Sequence, residues 1–431
     1  MRKRSLMGFA AVAVLAVALS GCAAGDGASA SDKTVSLKIW GWTAKTQQVV
    51  DTWNKTHPSV QVKYTDAGGG NDSAAKLRTA TRAGNAPDIA LVEYQTLPSL
   101  VTAGVASDIT KYTKGIQDKF TEGTWAQTTF DGKVYGIPQD VGPMAFTYRQ
   151  DLFQKYGFGA PKTWDEFASD ARVIHEADPG AYIASMPPTE FGSWAGLATQ
   201  AGATWWSVKD GKWTVGIADE ASLKVADFFQ KLSDDGVILT EPLLTPQYDK
   251  SLNDGKILSW PSAVWAPGVL ASVTPGTAGK WAMAPLPAWK AGETTVPFQG
   301  GSALVVTKNS KHPQQAAEFA AWYNASKAGL EGMINKQALY PAAIAGQKLA
   351  SSQKPPALMP QQTDFYKLAA TISKTAKPIT WGPDVDVAST TFTDRLSKAI
   401  NNHTAWRDAF TATQKAVVAD MKKNGFKVTN K

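Results

Sequence analysis

The sequence predicts an α/β fold built on a mainly parallel sheet, and two observations predict it. Between residues 35 and 92, strand-like alternation of apolar residues gives way twice to helix-spaced apolar residues. The third strand of that series, Ile89-Ala90-Leu91-Val92, is apolar throughout, as strands covered on both faces are. A strand–helix–strand–helix–strand order of this kind forms a parallel sheet with helices packed across it.

Each element has a local reason. Val35, Leu37 and Ile39 alternate with Ser36 and Lys38, the period of a half-buried strand. Trp40 and Trp42 follow around Gly41, so two large rings stand where the strand runs out. A helix over 45–56 carries Val49, Val50 and Trp53 on one face and stops before Pro58. Residues 60–64 alternate as a second strand. Gly68-Gly69-Gly70 turns the chain, and Asn71-Asp72-Ser73 offers caps for a helix through Arg82. Asp131-Gly132 reads as a hairpin turn ahead of residues 134–137. Thr163, with Glu166 three residues on, forms a capping box that opens a helix. Further helices are expected over 191–202 and 221–234, and a buried strand over 300–306. His312-Pro313 begins an amphipathic helix with Ala316, Ala317, Phe319, Ala320 and Tyr323. Residues 365–423 read as mostly helical. Trp53, Trp164, Trp322 and Trp406 fall at helical spacing and are assigned to cores.

The N-terminus stands apart from this fold. Arg2, Lys3 and Arg4 precede an apolar run from Leu6 to Leu19, the layout of a signal peptide over 1–21. The run ends in Leu19-Ser20-Gly21-Cys22, which resembles the bacterial lipobox; that resemblance implies a lipid on Cys22 and export to the outer face of the membrane. Residues 22–33 are rich in Ala, Gly and Ser and read as a flexible tether. Cys22 is the only cysteine, which excludes a disulfide or a cysteine-based metal site. Stability must come from packed cores, and 431 residues are enough for two or three domains. The formal charge is +7, three units of which lie in Arg2–Arg4, leaving +4. The basic residues are scattered among acidic ones, without the stripe that a nucleic-acid binder shows. No internal repeat is present.

Four stretches fit one pattern: IWGWTAKTQQVVDTWNKTHPSVQVKY, APDIALVEYQTLPSLVTAGVASDIT, DGKVYGIPQDVGPMAFTYRQDLFQKYGFGAPKTWDEF and FQGGSALVVTKNSKHPQQAAEFAAWY. In this order and spacing, and over essentially the whole chain beyond the tether, the sequence resembles the family 1 extracellular solute-binding proteins of bacterial ABC transporters. The resemblance implies a two-lobe fold of the periplasmic-binding-protein type, with several interlobe crossings and a ligand cleft between the lobes. It places crossings near 140–146, 297–302 and 340–365, giving one lobe from 34–140 plus 300–345 and another from 141–299 plus 346–431. It further implies a monomer that presents a carbohydrate to the permease subunits of an importer, with no catalysis and no cofactor.

Sugar chemistry then selects the candidate site. A sugar ring has an apolar C–H face that suits an indole and a rim of hydroxyls that need fixed partners. Ligands of open α/β sheets sit beyond the carboxyl ends of the strands. Trp40 and Trp42 are there, and at least one is expected to reach the ligand. Asn71 and Asp72 end the loop after the second strand, and Glu93 and Gln95 follow the third. Asp140 lies at the first crossing, and Gln299, Gly300 and Gly301 at the return. Trp205, Trp206, Trp265 and Trp381 are the aromatic candidates of the second lobe. Trp205 and Trp206 are neighbours, so one of the two is expected to face the cleft. Abundant tryptophan favours a di- or oligosaccharide over a monosaccharide.

Other readings leave distinct traces. A secreted glycosidase would use a carboxylate pair, for which Glu93 and Asp140 could serve. The serine elbow G-x-S-x-G is absent, because Gly192-Ser193-Trp194-Ala195-Gly196 has its serine one place early. The four histidines, His57, His175, His312 and His403, lack metal-ligand spacing. The run Gly68-Gly69-Gly70 is not followed by the Lys and Ser/Thr of a phosphate loop. A polyol, polyamine or peptide ligand in the same fold stays open.

Overall fold

Two separate sheets organise the chain. The computed structural model describes residues 34–243 and 245–430. Cys22, the signal segment and the tether lie outside the described residues, as does the side chain of Asn71.

The first sheet has the strand order Val60–Asp66, Val35–Gly41, Ile89–Glu93, Ser302–Val306, Ile137–Asp140. The first three strands pair in parallel, as the strand–helix alternation requires. Ser302–Val306 is antiparallel to both its neighbours. It enters from the cleft edge, where the other strands end, so it must run the opposite way. Leu37 and Ile39 bury on one face of this sheet, against a core that includes Val49, Val50 and Trp53. Ala90, Val92 and Val305 bury on the other, against Leu77, Leu97 and Leu100. Period-2 alternation produces these two faces.

The second sheet has the order Trp281–Pro285, Met144–Arg149, Ile257–Ala263, Tyr182–Ala184. Met144–Arg149 is antiparallel to both neighbours, and Ile257–Ala263 is parallel to Tyr182–Ala184. Around it pack the helices Trp164–Ala177, Phe191–Gln200 and Glu220–Asp234. Thr163 caps the first of these by accepting from the Glu166 N–H at 3.1 Å. The returning Glu166 carboxylate accepts from Lys162 N–H at 2.6 Å, one residue earlier than in a standard box. A third, small sheet joins Trp206–Lys209, Lys212–Val215 and the C-terminal strand Lys427–Asn430, the last unforeseen from the sequence.

Three chain segments run side by side between the two sheets. Asp140 bridges to Pro341, and Pro143 bridges to Phe298. Val141 N–H donates to Tyr340 O at 3.2 Å, Ala342 N–H to Gln139 O at 3.0 Å, and Gln299 N–H to Gly142 O at 2.7 Å. A Cβ on Gly142 would stand 2.1 Å from the Gln299 carbonyl oxygen, so only glycine permits this approach. Among the described residues, no helix is long and apolar enough to cross a membrane.

Candidate functional site

The carboxyl ends of two first-sheet strands meet the start of a third at one spot. Ser302 pairs in register with Glu93 on one side and with Asp140 on the other. Pairing alone therefore sets two carboxylates either side of one hydroxyl. Ser302 Oγ donates to Asp140 Oδ1 at 2.5 Å. Gly300 and Gly301 lead into this strand with φ of 67° and 83°, a left-handed path that glycine takes without strain. A Cβ on Gly301 would lie 2.8 Å from the Tyr94 ring. Tyr94 in turn donates its hydroxyl to the Asp140 carbonyl at 3.0 Å.

Glu93, Asp140, Gly300, Gly301 and Ser302 line one side of a cavity of 690 Å³, with Trp42 and Gly69 beside them. The second sheet and the helices near it supply Glu190, Trp260, Trp265 and Val269. Trp42 lies across Gly69, whose missing Cβ would stand 3.0 Å from the indole Cγ. Trp260 and Trp265 pack edge to face, with ring centroids 5.6 Å apart. Trp265 is locked by its Nε1–H, which donates to the Gln299 carbonyl at 2.9 Å. Two rigid indoles on one wall thus oppose carboxylates and a third indole on the other.

The electrostatics of the cavity are one-sided. Burial pushes the Asp140 carboxyl up from 3.8 to about 6, against the opposing pull of the Ser302 hydroxyl and N–H. Burial, with the Glu93 charge adding to it, pushes Glu190 up from 4.5 to about 7. Glu93 is raised too, chiefly by burial, while Gln95 Nε2–H donates to it at 2.7 Å and holds it down. Among the described residues, no group of three or more His, Cys, Asp or Glu is arranged to hold a metal ion.

Residues 40–329 match the model of the bacterial extracellular solute-binding proteins. The chain belongs to that family. It is 26% identical over 345 residues to an arabinooligosaccharide-binding protein of Bacillus subtilis strain 168, covering 76% of this chain and 78% of the relative. Among solved structures it resembles the galacto-N-biose-/lacto-N-biose I-binding protein of an ABC transporter from Bifidobacterium longum, in complex with lacto-N-biose. The TM-score is 0.82 at 30% identity, over 92% of this chain and 99% of that one. It also resembles an ABC-transporter-associated binding protein of B. animalis subsp. lactis Bl-04, in complex with beta-1,6-galactobiose. There the TM-score is 0.83 at 28% identity, over 91% and 99% of the two chains. These neighbours share the two-lobe architecture.

In this solute-binding protein, Trp42, Glu93, Asp140, Trp265, Gly300 and Gly301 stand at the cavity. The other candidates stand elsewhere. Trp40 belongs to the opposite face of its strand and packs on the cluster of Leu77, Ala90 and Val92. Asp72 is an exposed residue in the first turn of the helix Gly70–Arg82. Gln95 holds Glu93 from behind. Trp205 and Trp206 are 1% and 0% exposed and belong to the core, not the cleft. Trp206 opens the strand Trp206–Lys209, and Trp205 donates its Nε1–H to Ser222 Oγ at 2.9 Å. Neither ring is free to face a ligand: Phe392 and Phe410 close over Trp205, and Trp381 and Gly382 pack on Trp206. Gln299 is buried; its Nε2–H donates to Ser193 Oγ at 2.6 Å, and its carbonyl serves Trp265. Trp381 lines a small adjoining void with Tyr94, Phe298 and Gly300.

Sequence reasoning missed Glu190 and did not select Trp260. Glu190 is the N-cap residue of the helix Phe191–Gln200, but its side chain makes no cap bond. A carboxylate before a helix reads as a cap, which hides it. Pro187-Pro188 just upstream, which marks a rigid approach to the helix, is the signal that could have drawn attention to it. Trp260 sits inside a strand whose other residues are all buried, the pattern of a core position.

Proposed function

We propose that this chain is the carbohydrate-capturing receptor of an ABC importer and takes a di- or oligosaccharide into the cleft. The observation that carries the reading is the cavity wall itself. Trp42, Trp260 and Trp265 stand beside Glu93, Asp140 and Glu190 in one volume of 690 Å³. Indoles match the C–H faces of sugar rings, and carboxylates accept from the hydroxyls. The saccharide ligands of the two structural neighbours support it. The lobes run over 34–140 with 300–345 and over 141–299 with 346–431, and the three paired crossing segments act as the hinge. Ligand bridging of the two walls favours the closed form, which a permease contacting both lobes can sense. Cys22 carries the lipid that keeps the receptor on the outer face of the membrane.

A tryptophan-fluorescence and thermal-shift screen of the segment from Lys33 onward tests this. Thr34–Lys431 forms one compact unit, so that segment is a sound object for the assay. The panel holds mono-, di- and oligosaccharides, with amino acids, polyamines and phosphate as controls. The expected result is a saturable spectral change and a raised melting temperature with one saccharide class. Response to a control ligand alone overturns the sugar assignment. Release of a cleaved product over time replaces the receptor with a hydrolase.

A further inference from the structure

The cavity is acidic without any compensating cation. Glu93, Asp140 and Glu190 line it, and among the described residues no lysine, arginine or histidine does. Two of the carboxylates come from the first sheet and the third from a helix start beside the second, so a ligand between the lobes meets negative charge from both sides. The N-terminus of the helix Phe191–Gln200 is a positive feature that could greet an anion, and Glu190 occupies its cap position. Three carboxylates with no cation beside them leave the cavity with a surplus of acceptors, which is met by a ligand that brings donors.

We infer that Glu190 makes the cleft a charge filter, admitting saccharides with hydroxyl or ammonium donors and rejecting those with a carboxylate, sulfate or phosphate. This rests on the carbohydrate reading and narrows its ligand class. A neutral hydroxyl donates to a carboxylate and needs no counter-ion. An anionic group would add a like charge to a set of carboxylates that already repel one another, with no donor cation to receive it.

The test uses a matched pair: lactose, and lactose with its galactose primary alcohol oxidised to a carboxylate. The amino-sugar counterpart, with an ammonium in place of that alcohol, is the third probe. If lactose is not bound, the same trio is built on beta-1,6-galactobiose. Calorimetry near pH 8 keeps the cleft carboxylates ionised. The carboxylated sugar is expected to bind at least about 100-fold more weakly than the neutral one, and the aminated sugar at least as tightly. Glu190→Gln, with Glu93→Gln as a second variant, should narrow the neutral-to-acidic gap about tenfold or more. Equal binding of neutral and acidic sugars overturns the filter and leaves the receptor reading intact. An unchanged gap in both variants overturns the assignment to these carboxylates. Failure of every saccharide to bind overturns the carbohydrate reading itself, and the filter with it.

Discussion

Trp40 and Trp42 are separated by one glycine, and they should answer differently to the same substitution. Trp42 lines the cavity and is backed by Gly69; Trp40 packs on the helix side of the sheet. A ligand ring stacked on one face of Trp42 covers about half the ~150–250 Å² that an aromatic side chain can bury, roughly 100 Å². At about 25 cal/mol per Å² this is ~2.5 kcal/mol, or about 60-fold in Kd. Trp42→Ala should therefore weaken binding of the saccharide selected by the panel by about that factor. The Trp42 ring is half buried, so unfolding should also lose about half of the ~3–5 kcal/mol of a fully buried ring. Trp40→Ala should cost stability alone. Trp40 is also half buried, so the loss is about half the ~3–5 kcal/mol of a fully buried ring, or ~2 kcal/mol of stability, with Kd unchanged. Calorimetric titration and denaturant unfolding of both variants decide the matter. If Trp42→Ala binds within about twofold of the native protein, or Trp40→Ala loses affinity while keeping its stability, the division of the two rings between cleft and core is wrong.

Further outcomes follow from the same geometry. The Glu190 carboxyl stands at about 7 against an ordinary 4.5, so the folded state holds its proton more tightly than the unfolded chain. That contribution is fully present below the lower value and is lost as pH rises through the upper one, a span worth on the order of 3 kcal/mol. Asp140, raised to about 6 from 3.8, acts in the same direction. Denaturant unfolding of the ligand-free protein should show a loss between about pH 4 and 7.5, and Glu190→Gln should reduce it without abolishing it, because Asp140, Asp170 and Asp384 are raised as well; an equal slope in the variant would exclude Glu190 as a source. Gly69→Ala should displace the Trp42 ring and raise Kd with little loss of stability, read by titration and near-ultraviolet circular dichroism. Gly301→Ala should lower both affinity and melting temperature, because its Cβ meets Tyr94 in a left-handed backbone. Trp205→Ala should cost ~3–5 kcal/mol in unfolding and leave the Kd of the surviving folded protein unchanged, since it removes a buried ring that does not line the cavity.

Much of the fold was legible because its causes are local. The alternation of Val35, Leu37 and Ile39 set a strand with one buried face, and Ile89 to Val92 announced a strand covered on both. Asp131-Gly132 turned a hairpin because both residues take positive φ, 50° and 71°, which that dipeptide tolerates. Glu93, Asp140 and the Gly300-Gly301 pair could be selected from the sequence because strand ends, crossings and glycines are visible there, and the structure brings them to one cavity. The two-lobe arrangement came from resemblance over the whole chain, not from any one element.

Which way a ring points was decided elsewhere. Trp40 has the parity of Ser36 and Lys38, so alternation places it opposite Leu37 and Ile39. Whether that face is a site or a core depends on whether a helix covers it, and Gly70–Arg82 does. Trp205 is closed in by helices that arrive near the end of the chain, and Trp206 by the loop at Trp381 and Gly382. Glu190 owes its raised proton affinity chiefly to burial, with the charge of Glu93, a residue on the first sheet, adding to it. By itself the sequence determined period, turn chemistry and the polar residues at strand ends, since these rest on neighbours along the chain. The tertiary structure alone decided which aromatic faces stay uncovered and which carboxylates share a cavity, because burial and charge coupling depend on distance in space.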